Sequence, residues 1–254
     1  MTTLFISDLH LEAARPEIGE QFLDFLDDEA ADAEALYILG DFFEYWVGDD
    51  DPDEYYASIK RSLRAFTDAG VPVYFMHGNR DFMIGEDFAA ETGVTILPDP
   101  CPIELYGKSV LLSHGDAMCT DDVEYQQMRA MTRNPEWQAM MRAKPLDERM
   151  TIARQARAQS QERNKTLAES IVDVNPDAVK QAISEHGVEI LLHGHTHRPG
   201  IHSIEVDDRI AKRVVLGDWY DQGSVLRWDE DGLDLSPMPR QADRSESETA
   251  DPAP

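Results

Sequence analysis

The chain has 254 residues, 42% of them apolar, so it can bury a sizeable core and is not a disordered protein. Its 50 acidic and 23 basic residues give a net charge of −27, which repels nucleic-acid phosphates unless a local patch reverses the field. Two cysteines are too few for a disulfide framework, and no apolar stretch approaches the roughly 20 residues of a membrane-spanning helix. We therefore expect a cytoplasmic protein that does not bind nucleic acid, with an acidic surface that serves solubility, as in a salt-rich cytoplasm.

Five short apolar runs alternate with stretches of helical periodicity, a pattern typical of β-strands joined by crossover helices. The runs are residues 3–7, 35–40, 71–76, 109–113 and 189–193. Apolar residues at helical spacing predict one helix around residues 22–26 and another around residues 59–66. Shorter runs at 214–217 and 224–228 predict antiparallel strands, and the acidic residues 241–254, rich in Ser and Pro, predict a disordered tail.

Residues 121–170 differ in composition from the rest of the chain. They contain nine basic and eight acidic residues, which leaves a net charge of +1. Five of the ten methionines also fall there: Met128, Met131, Met140, Met141 and Met150. The segment has helical spacing, with Pro135 and Pro145 as breakers and Asn134 as a helix N-cap. It therefore predicts a helical cap, inserted at about residues 121–170 into an α/β core.

Each of the five apolar runs ends in side chains that can bind a metal ion. In chain order these are Asp8, His10, Asp41, Asn79, His114, His195 and His197. Sites in open α/β sheets form beyond the carboxyl ends of the strands, so these groups can converge although they are far apart in sequence. A carboxylate such as Asp41 can bridge two ions, and imidazole nitrogens select Mn²⁺, Fe²⁺ or Zn²⁺ over Mg²⁺. Each motif alone is more often a turn or a helix cap, but all five in this order predict a two-metal hydrolase of phosphate bonds.

The motifs DLH, GD, GNRD, HGD and GHTH together resemble the calcineurin-like metallophosphoesterase family over residues 3–200. Longer stretches, such as YILGDFFEYWVGDDD at 37–51 and LLSHGDAMCTDD at 111–122, are similar to the members that cleave UDP-2,3-diacylglucosamine in lipid A biosynthesis. The resemblance implies an α/β fold over residues 1–240, a four-layer sandwich of two mixed β-sheets flanked by helices, with the helical cap as an insertion.

The resemblance also implies a reaction and a cofactor. The reaction is hydrolysis of the pyrophosphate bond of UDP-2,3-diacylglucosamine by attack of a metal-bound hydroxide on the α-phosphorus, which gives UMP and 2,3-diacylglucosamine 1-phosphate. The cofactor is two Mn²⁺ ions per chain. One ion is expected at Asp8, His10, Asp41 and His197, and the other at Asp41, Asn79, His114 and His195. We further expect a monomer that attaches through its cap to the cytoplasmic face of the inner membrane.

Several positions correspond to substrate contacts of the family. They are Asn79, Arg80, Asp122, Ser160, Asn164, Leu167 and His195. By the same resemblance Asp41, Asn79, Arg80 and His114 are expected to act directly in catalysis. Leu167 departs from the family pattern, which has a lysine there, and Lys165 is the basic residue nearest to it in the sequence.

Arg80 follows Gly78 and Asn79, where most metallophosphoesterases have a histidine that protonates a leaving alkoxide. Arginine cannot give up its proton at neutral pH, but its guanidinium can hold two phosphate oxygens. A leaving phosphate has a last pKa of about 6 and needs no general acid, so arginine favours a pyrophosphate bond over an alkyl phosphate. The alternative is a surface ion pair between Arg80 and Asp81.

Two other functions remain open from the sequence. One is a phosphodiesterase of the same superfamily that acts on nucleotides or nucleic acid, which the acidic surface and Arg80 disfavour. The other is a scaffold that has lost its metals, for which missing ligands would be the sign. All seven candidate ligands are present.

Overall fold

The computed structural model describes residues 2–165, 167–220 and 223–238, and two β-sheets form its centre. Six strands form the first sheet: β1 (Thr3–Ile6), β2 (Ala35–Ile38), β3 (Val73–Met76), β4 (Thr95–Leu97), β10 (Gly223–Asp229) and β11 (Gly232–Met238). Their order across the sheet is β11-β10-β1-β2-β3-β4. β1 to β4 are parallel, whereas β10 and β11 are antiparallel to their neighbours.

Five strands form the second sheet: β5 (Cys101–Leu105), β6 (Lys108–Ser113), β7 (Ile190–His193), β8 (Gly200–Val206) and β9 (Arg209–Val215). Their order is β5-β6-β7-β9-β8. The three inner strands are parallel, and β5 and β8 run antiparallel at the two edges. Both sheets are therefore mixed. The two runs predicted as antiparallel strands lie partly in β9, which is antiparallel to β8 but parallel to β7, and in β10, which is antiparallel to both of its neighbours.

Four helices cover the outer faces of the sheets: α1 (Pro16–Asp28), α2 (Glu54–Asp68), α3 (Glu86–Thr92) and α8 (Pro176–His186). Neighbouring residues of β1 point to opposite faces, as the pleat requires. Leu4 and Ile6 pack with α1 to α3, while Phe5 packs with Leu112 and Leu192 of the second sheet. α8 covers the far face of the second sheet. The layers are helix, sheet, sheet and helix, which confirms the predicted four-layer sandwich.

Four further helices lie between β6 and β7: α4 (Val123–Thr132), α5 (Pro135–Arg142), α6 (Leu146–Asn164) and α7 (Glu169–Val172). We call this segment, Val123–Val172, the cap. Asn134 accepts hydrogen bonds from the backbone N–H of Glu136 and Trp137, so it is the N-cap that the sequence predicted. None of the helices among the described residues combines the length and apolar character needed to span a membrane. The predicted tail, residues 241–254, lies outside the described residues.

Polar contacts, more than apolar packing, attach the cap to the core. α4 has no buried residue, and among the described side chains of α6 only Arg149 is buried. Arg149 donates to the backbone oxygen of Val47 and to both carboxylate oxygens of Asp50 in the loop after β2. Arg133, the residue directly after α4, donates to the backbone oxygen of Gly78 at 2.9 Å. The cap is therefore held mainly by arginines that reach the loops at the strand ends.

Candidate metal centre and substrate cavity

The loops that follow β1, β2, β3, β6 and β7 meet at one end of the two sheets. Backbone hydrogen bonds fix their relative positions: the N–H of Asp8 donates to Gly40 at 3.0 Å and the N–H of His10 donates to Asp41 at 3.0 Å. Between the loops of the second sheet, the N–H of Gly194 donates to the oxygen of His114 at 2.9 Å. Because parallel strands end at the same edge of a sheet, the five sequence motifs are brought together as predicted.

Most of the candidate ligands have an unusual backbone conformation. Five of the seven have a positive φ: Asp8 (58°), His10 (53°), Asp41 (50°), His195 (67°) and His197 (54°). Residues other than glycine rarely adopt this left-handed region, and such strain collects at functional sites, where the surrounding structure enforces it. The loops therefore aim these side chains at a cost in backbone energy.

The first ligand group consists of Asp8, His10 and His197, whose ligand atoms lie within 4.8 Å of one another. His197 Nε2 lies 3.3 Å from Asp8 Oδ1 and 3.3 Å from His10 Nε2. Asp8 is fully buried, and its Oδ1 has no hydrogen-bond partner among the described residues. A buried carboxylate oxygen without a partner is costly unless a cation satisfies it, so this group fits a metal ion.

The second ligand group consists of Asp41, His114 and His195, also within 4.8 Å of one another. His114 Nε2 lies 3.7 Å from Asp41 Oδ1 and 3.0 Å from Asn79 Oδ1, which places the amide oxygen of Asn79 in the same group. The rings of His114 and His195 are 5.0 Å apart. The structure thus brings all seven predicted ligands into two adjacent groups, which are two candidate metal-binding sites.

The outer nitrogen of three histidine rings lies close to an acceptor oxygen. His114 Nδ1 lies 2.9 Å from the backbone oxygen of Leu39, and His197 Nδ1 lies 2.9 Å from Asp218 Oδ2. His10 Nδ1 lies 3.2 Å from Glu44 Oε2, at ion-pair distance but not in aligned hydrogen-bond geometry. A proton on each Nδ1 leaves the lone pair of Nε2 for a metal, as is usual for ligating histidines.

The charges of the centre attract a cation. Burial alone would raise the pKa of Asp8, but His197, His114 and His10 outweigh it and hold that pKa far below its ordinary value. Burial would lower the pKa of His197, but Asp8 and Asp218 raise it to about 10. Burial and His114 lower the pKa of His195 to about 4, so that its ring is neutral at physiological pH. The carboxylates of Asp8 and Asp218 therefore favour a positive charge at the first group, and a divalent ion can replace the proton on His197.

Three residues of the centre were not among the predicted site residues. Glu44 and Asp218 contact the outer nitrogens of His10 and His197, and the ring of Tyr220 stacks on His10 with centroids 5.0 Å apart. They lie in the stretches GDFFEYW and GDWYD, within four residues of a Gly-Asp pair. Their position at or near a Gly-Asp pair was the only sign in the sequence, because carboxylates that orient a ligating histidine follow no fixed spacing.

Arg80 does not form the surface ion pair with Asp81 that was the alternative from the sequence. Asp81 is fully buried and accepts the backbone N–H of Phe42 and of Gly78, both at 2.7 Å. Arg80 Nη1 donates to Glu44 at 2.6 Å, and its Nε lies 3.6 Å from Asp41 Oδ2. The guanidinium is therefore directed to the metal centre.

A cavity of about 650 Å³ lies between the metal centre and the cap. Asp41, Asn79, Arg80, His195 and His197 lie at its inner end. Much of the remaining lining is apolar: Trp46, Phe82, Met83, Met128, Met131, Trp137, Met141 and Ile152. Pockets of this size, with few polar groups among apolar ones, suit a ligand with distinct polar and apolar parts.

Two of the predicted substrate contacts, Asp122 immediately before the cap and Ser160 within it, line this cavity. The carboxylate of Asp122 accepts the backbone N–H of Tyr125 at 2.9 Å and pairs with Arg163, so it also caps α4 and ties it to α6. Leu167 is half-buried and is not in the cavity lining as far as the chain is described. Lys165 is directed to Glu162, and the side chain of Asn164 lies outside the described residues.

The comparison with known proteins agrees with this geometry. Residues 1–199 match the calcineurin-like phosphoesterase family. A protein of Stenotrophomonas maltophilia named UDP-2,3-diacylglucosamine hydrolase is 52% identical, over 95% of this chain and 100% of its own. Proteins of the same name from Xanthomonas oryzae and Pseudomonas paraeruginosa are also 52% identical, over 92% and 94% of this chain and 98% and 100% of theirs. The chain therefore belongs to the calcineurin-like phosphoesterase family and, within it, to the family of the UDP-2,3-diacylglucosamine hydrolases.

Proposed function

We propose that the chain hydrolyses the pyrophosphate bond of UDP-2,3-diacylglucosamine to UMP and 2,3-diacylglucosamine 1-phosphate, a step of lipid A biosynthesis. The observation that carries this proposal is a single cavity that joins two adjacent metal-ligand groups to an apolar chamber under the cap. In a substrate that carries both a pyrophosphate and acyl chains, the pyrophosphate matches the metal-ligand groups and the acyl chains match the apolar chamber. The names of the relatives, which are 52% identical over nearly their whole length, support the same substrate.

We propose Mn²⁺ for both metal sites, one at Asp8, His10 and His197 and one at Asn79, His114 and His195, with Asp41 shared. Four imidazole nitrogens favour a transition ion over Mg²⁺, and the carboxylates and the amide keep the site hard enough for Mn²⁺. When bound, two such ions activate water and neutralise the charge that develops on a phosphate.

Arg80 supplies the phosphate contact that the protein itself makes. Burial would lower the pKa of its guanidinium, but Asp41 and Glu44 raise it above its ordinary value, so the group stays cationic. Its side chain is 14% exposed and faces the cavity, so solvent screens it little. A planar, fixed cation at this place orients the pyrophosphate against the metal centre.

The cap supplies an apolar chamber and a contact with the inner membrane. Met128 and Met131 line the cavity and are also 40% and 50% exposed, so the apolar lining continues onto the surface. Val123 of α4 and Met140 of α5 are also exposed apolar side chains of the cap. Flexible thioether side chains adapt to acyl chains of irregular packing. Residues 121–170, which contain most of the cap, carry a net charge of +1 and therefore meet anionic lipid with less repulsion than the rest of this acidic chain. We propose that the protein acts there as a monomer on the cytoplasmic face.

The test is an assay of the diacyl UDP-sugar with protein stripped of metal by chelator, with and without added Mn²⁺, in ¹⁸O-labelled water. We expect UMP only when Mn²⁺ is present, with the label in UMP because the α-phosphorus is attacked. UMP formation by metal-free protein would contradict the metal proposal. Faster cleavage of a soluble nucleotide phosphodiester than of the diacyl substrate would favour the phosphodiesterase alternative.

Replacing Arg80 tests the choice of a pyrophosphate bond. Arg80→His should lower kcat/KM for the diacyl UDP-sugar by about 10²-fold, because the planar phosphate contact is lost. Hydrolysis of an aryl phosphodiester should change by less than about 3-fold, because its leaving group gains nothing from a phosphate clamp. Arg80→Lys is the control that retains the positive charge without the planar guanidinium. Equal losses on both substrates would mean that Arg80 supports the fold instead.

A further inference from the structure

Glu44 lies between the metal centre and the cap, and both of its carboxylate oxygens are engaged. Oε2 accepts from Arg80 Nη1 at 2.6 Å and lies 3.2 Å from Nδ1 of His10, a candidate metal ligand. Oε1 accepts from Arg157 Nε of α6 at 2.7 Å. The side chain of Glu44 is 6% exposed, so these contacts are only weakly screened by solvent.

The surroundings of the Glu44 carboxylate favour its ionised form over its protonated form. Burial would raise the pKa of Glu44, but His10, Arg80 and Arg157 lower it to about 2. A buried carboxylate that has lost one of its cations must redistribute its contacts among those that remain. When Arg157 is removed, the remaining contacts of the Glu44 carboxylate are therefore Arg80, His10 and the hydroxyl of Tyr220, which lies 3.4 Å away.

The attachment of α6 makes this contact important for the cap. Two of its arginines reach the loop after β2, Arg149 at the first turn and Arg157 two turns later. Arg149 contacts Val47 and Asp50, which are not candidate metal ligands, whereas Arg157 contacts the carboxylate that orients His10. The two arginines anchor the same helix but differ in whether their partner touches the metal centre.

We propose that Glu44 is a positioning residue that couples the docking of α6 to metal binding at the Asp8, His10 and His197 group. Arg157 holds Glu44 at Oε1, and Glu44 in turn holds the His10 ring with its Nε2 toward the ligand group. Linkage is reciprocal: if docking of α6 strengthens metal binding, metal binding must strengthen docking of α6 by the same factor. The substrate has no part in this coupling, so it can fail or hold independently of the proposed function.

The test measures Mn²⁺ binding to metal-stripped protein by calorimetry, without substrate. Arg157→Gln should lower the affinity for one of the two Mn²⁺ ions by about 5-fold or more, although Arg157 contacts no candidate ligand. Glu44→Gln should lower the affinity for the same ion by about 10-fold to 100-fold, as is usual when the partner of a ligating histidine is lost. In the double variant the effect of Arg157→Gln should vanish, because its route to His10 is gone.

Two matched controls use other arginines of α6. Arg154 is exposed on the same helix, so Arg154→Gln makes the same charge change and should leave Mn²⁺ affinity unchanged. Arg149→Gln loosens the start of α6 without touching Glu44 and should also spare the affinity. The reciprocal measurement is hydrogen exchange: Mn²⁺ should slow the amides of Leu146–Asn164 in the unmodified protein and not in Glu44→Gln. Normal Mn²⁺ affinity in Arg157→Gln, or an equal loss in Arg149→Gln, would overturn the coupling.

Discussion

Asp41→Ala should lower turnover of the diacyl UDP-sugar by about 10³-fold or more, the largest loss expected among single ligand changes. Asp41 lies in the second ligand group with His114 and His195, and we propose that both ions share it. Its removal therefore withdraws a ligand from both sites at once. The measurement is kcat together with bound Mn²⁺ per chain, which should fall below two.

Asp41→Asn separates the role as a ligand from a role in the fold. Asparagine has the same shape and can still accept the backbone N–H of Arg80, which lies 2.9 Å from Asp41 Oδ1. Activity should fall in this variant too, because a neutral amide is a poor bridge between two cations. Asp41→Asn with two bound ions and more than about a tenth of the normal activity would rule out the bridging role.

The metal-free Asp41→Asn protein should not be less stable than the unmodified protein. Burial and the nearby Asp41 raise the pKa of buried Asp81 to about 7, which reflects repulsion between the two carboxylates. Removing one of two like charges relieves that repulsion at neutral pH, which offsets the lost attraction between residue 41 and Arg80, whose Nε lies 3.6 Å from Asp41 Oδ2. Functional sites commonly hold such groups at the expense of stability. A large drop in melting temperature would instead indicate that Asp41 is structural.

The strands that carry the ligands were predictable because they are the buried ones. β1, β2 and β7 are buried along most of their length, and an apolar run followed by Gly, Asp or His marks the end of each. The edge strand β5 alternates half-buried and exposed residues, and β8 is mostly exposed, so a search for apolar runs does not find them. Only the first two residues of the run at 214–217 lie in a strand, as the buried end of the longer β9.

The ligands were predictable, but their supporting contacts were not. Strand ends converge by topology, so Asp8, His114 and His197 could be assigned to one centre from their order alone. The contact between Glu44 and Arg157 joins residues 113 positions apart on a loop and on the cap. α6 shows no apolar face in its sequence, because its inner side is attached by arginines. Periodicity therefore predicts that the cap is helical but not which side faces the site.

Narrowing the cavity should block the diacyl substrate without harming the metal centre. On α6 the lining includes Ile152, Ala153 and Ala156, and the small alanines leave space between the cap and the core. Ala156→Trp should fill part of that space. Each displaced methylene of an acyl chain costs about 0.8 kcal/mol, so losing three or four lowers kcat/KM by about 10²-fold.

The matched control is Ala158→Trp, two residues further along the same helix. Ala158 is exposed and does not appear in the cavity lining, so the same large side chain points elsewhere. This variant should keep normal kcat/KM on the diacyl UDP-sugar. Both variants should bind two Mn²⁺ and hydrolyse a small aryl phosphodiester at rates within about 2-fold of normal, since neither changes a ligand. If Ala156→Trp slowed the aryl diester as much as the diacyl substrate, the cavity under α6 would serve the metal centre and not the acyl chains.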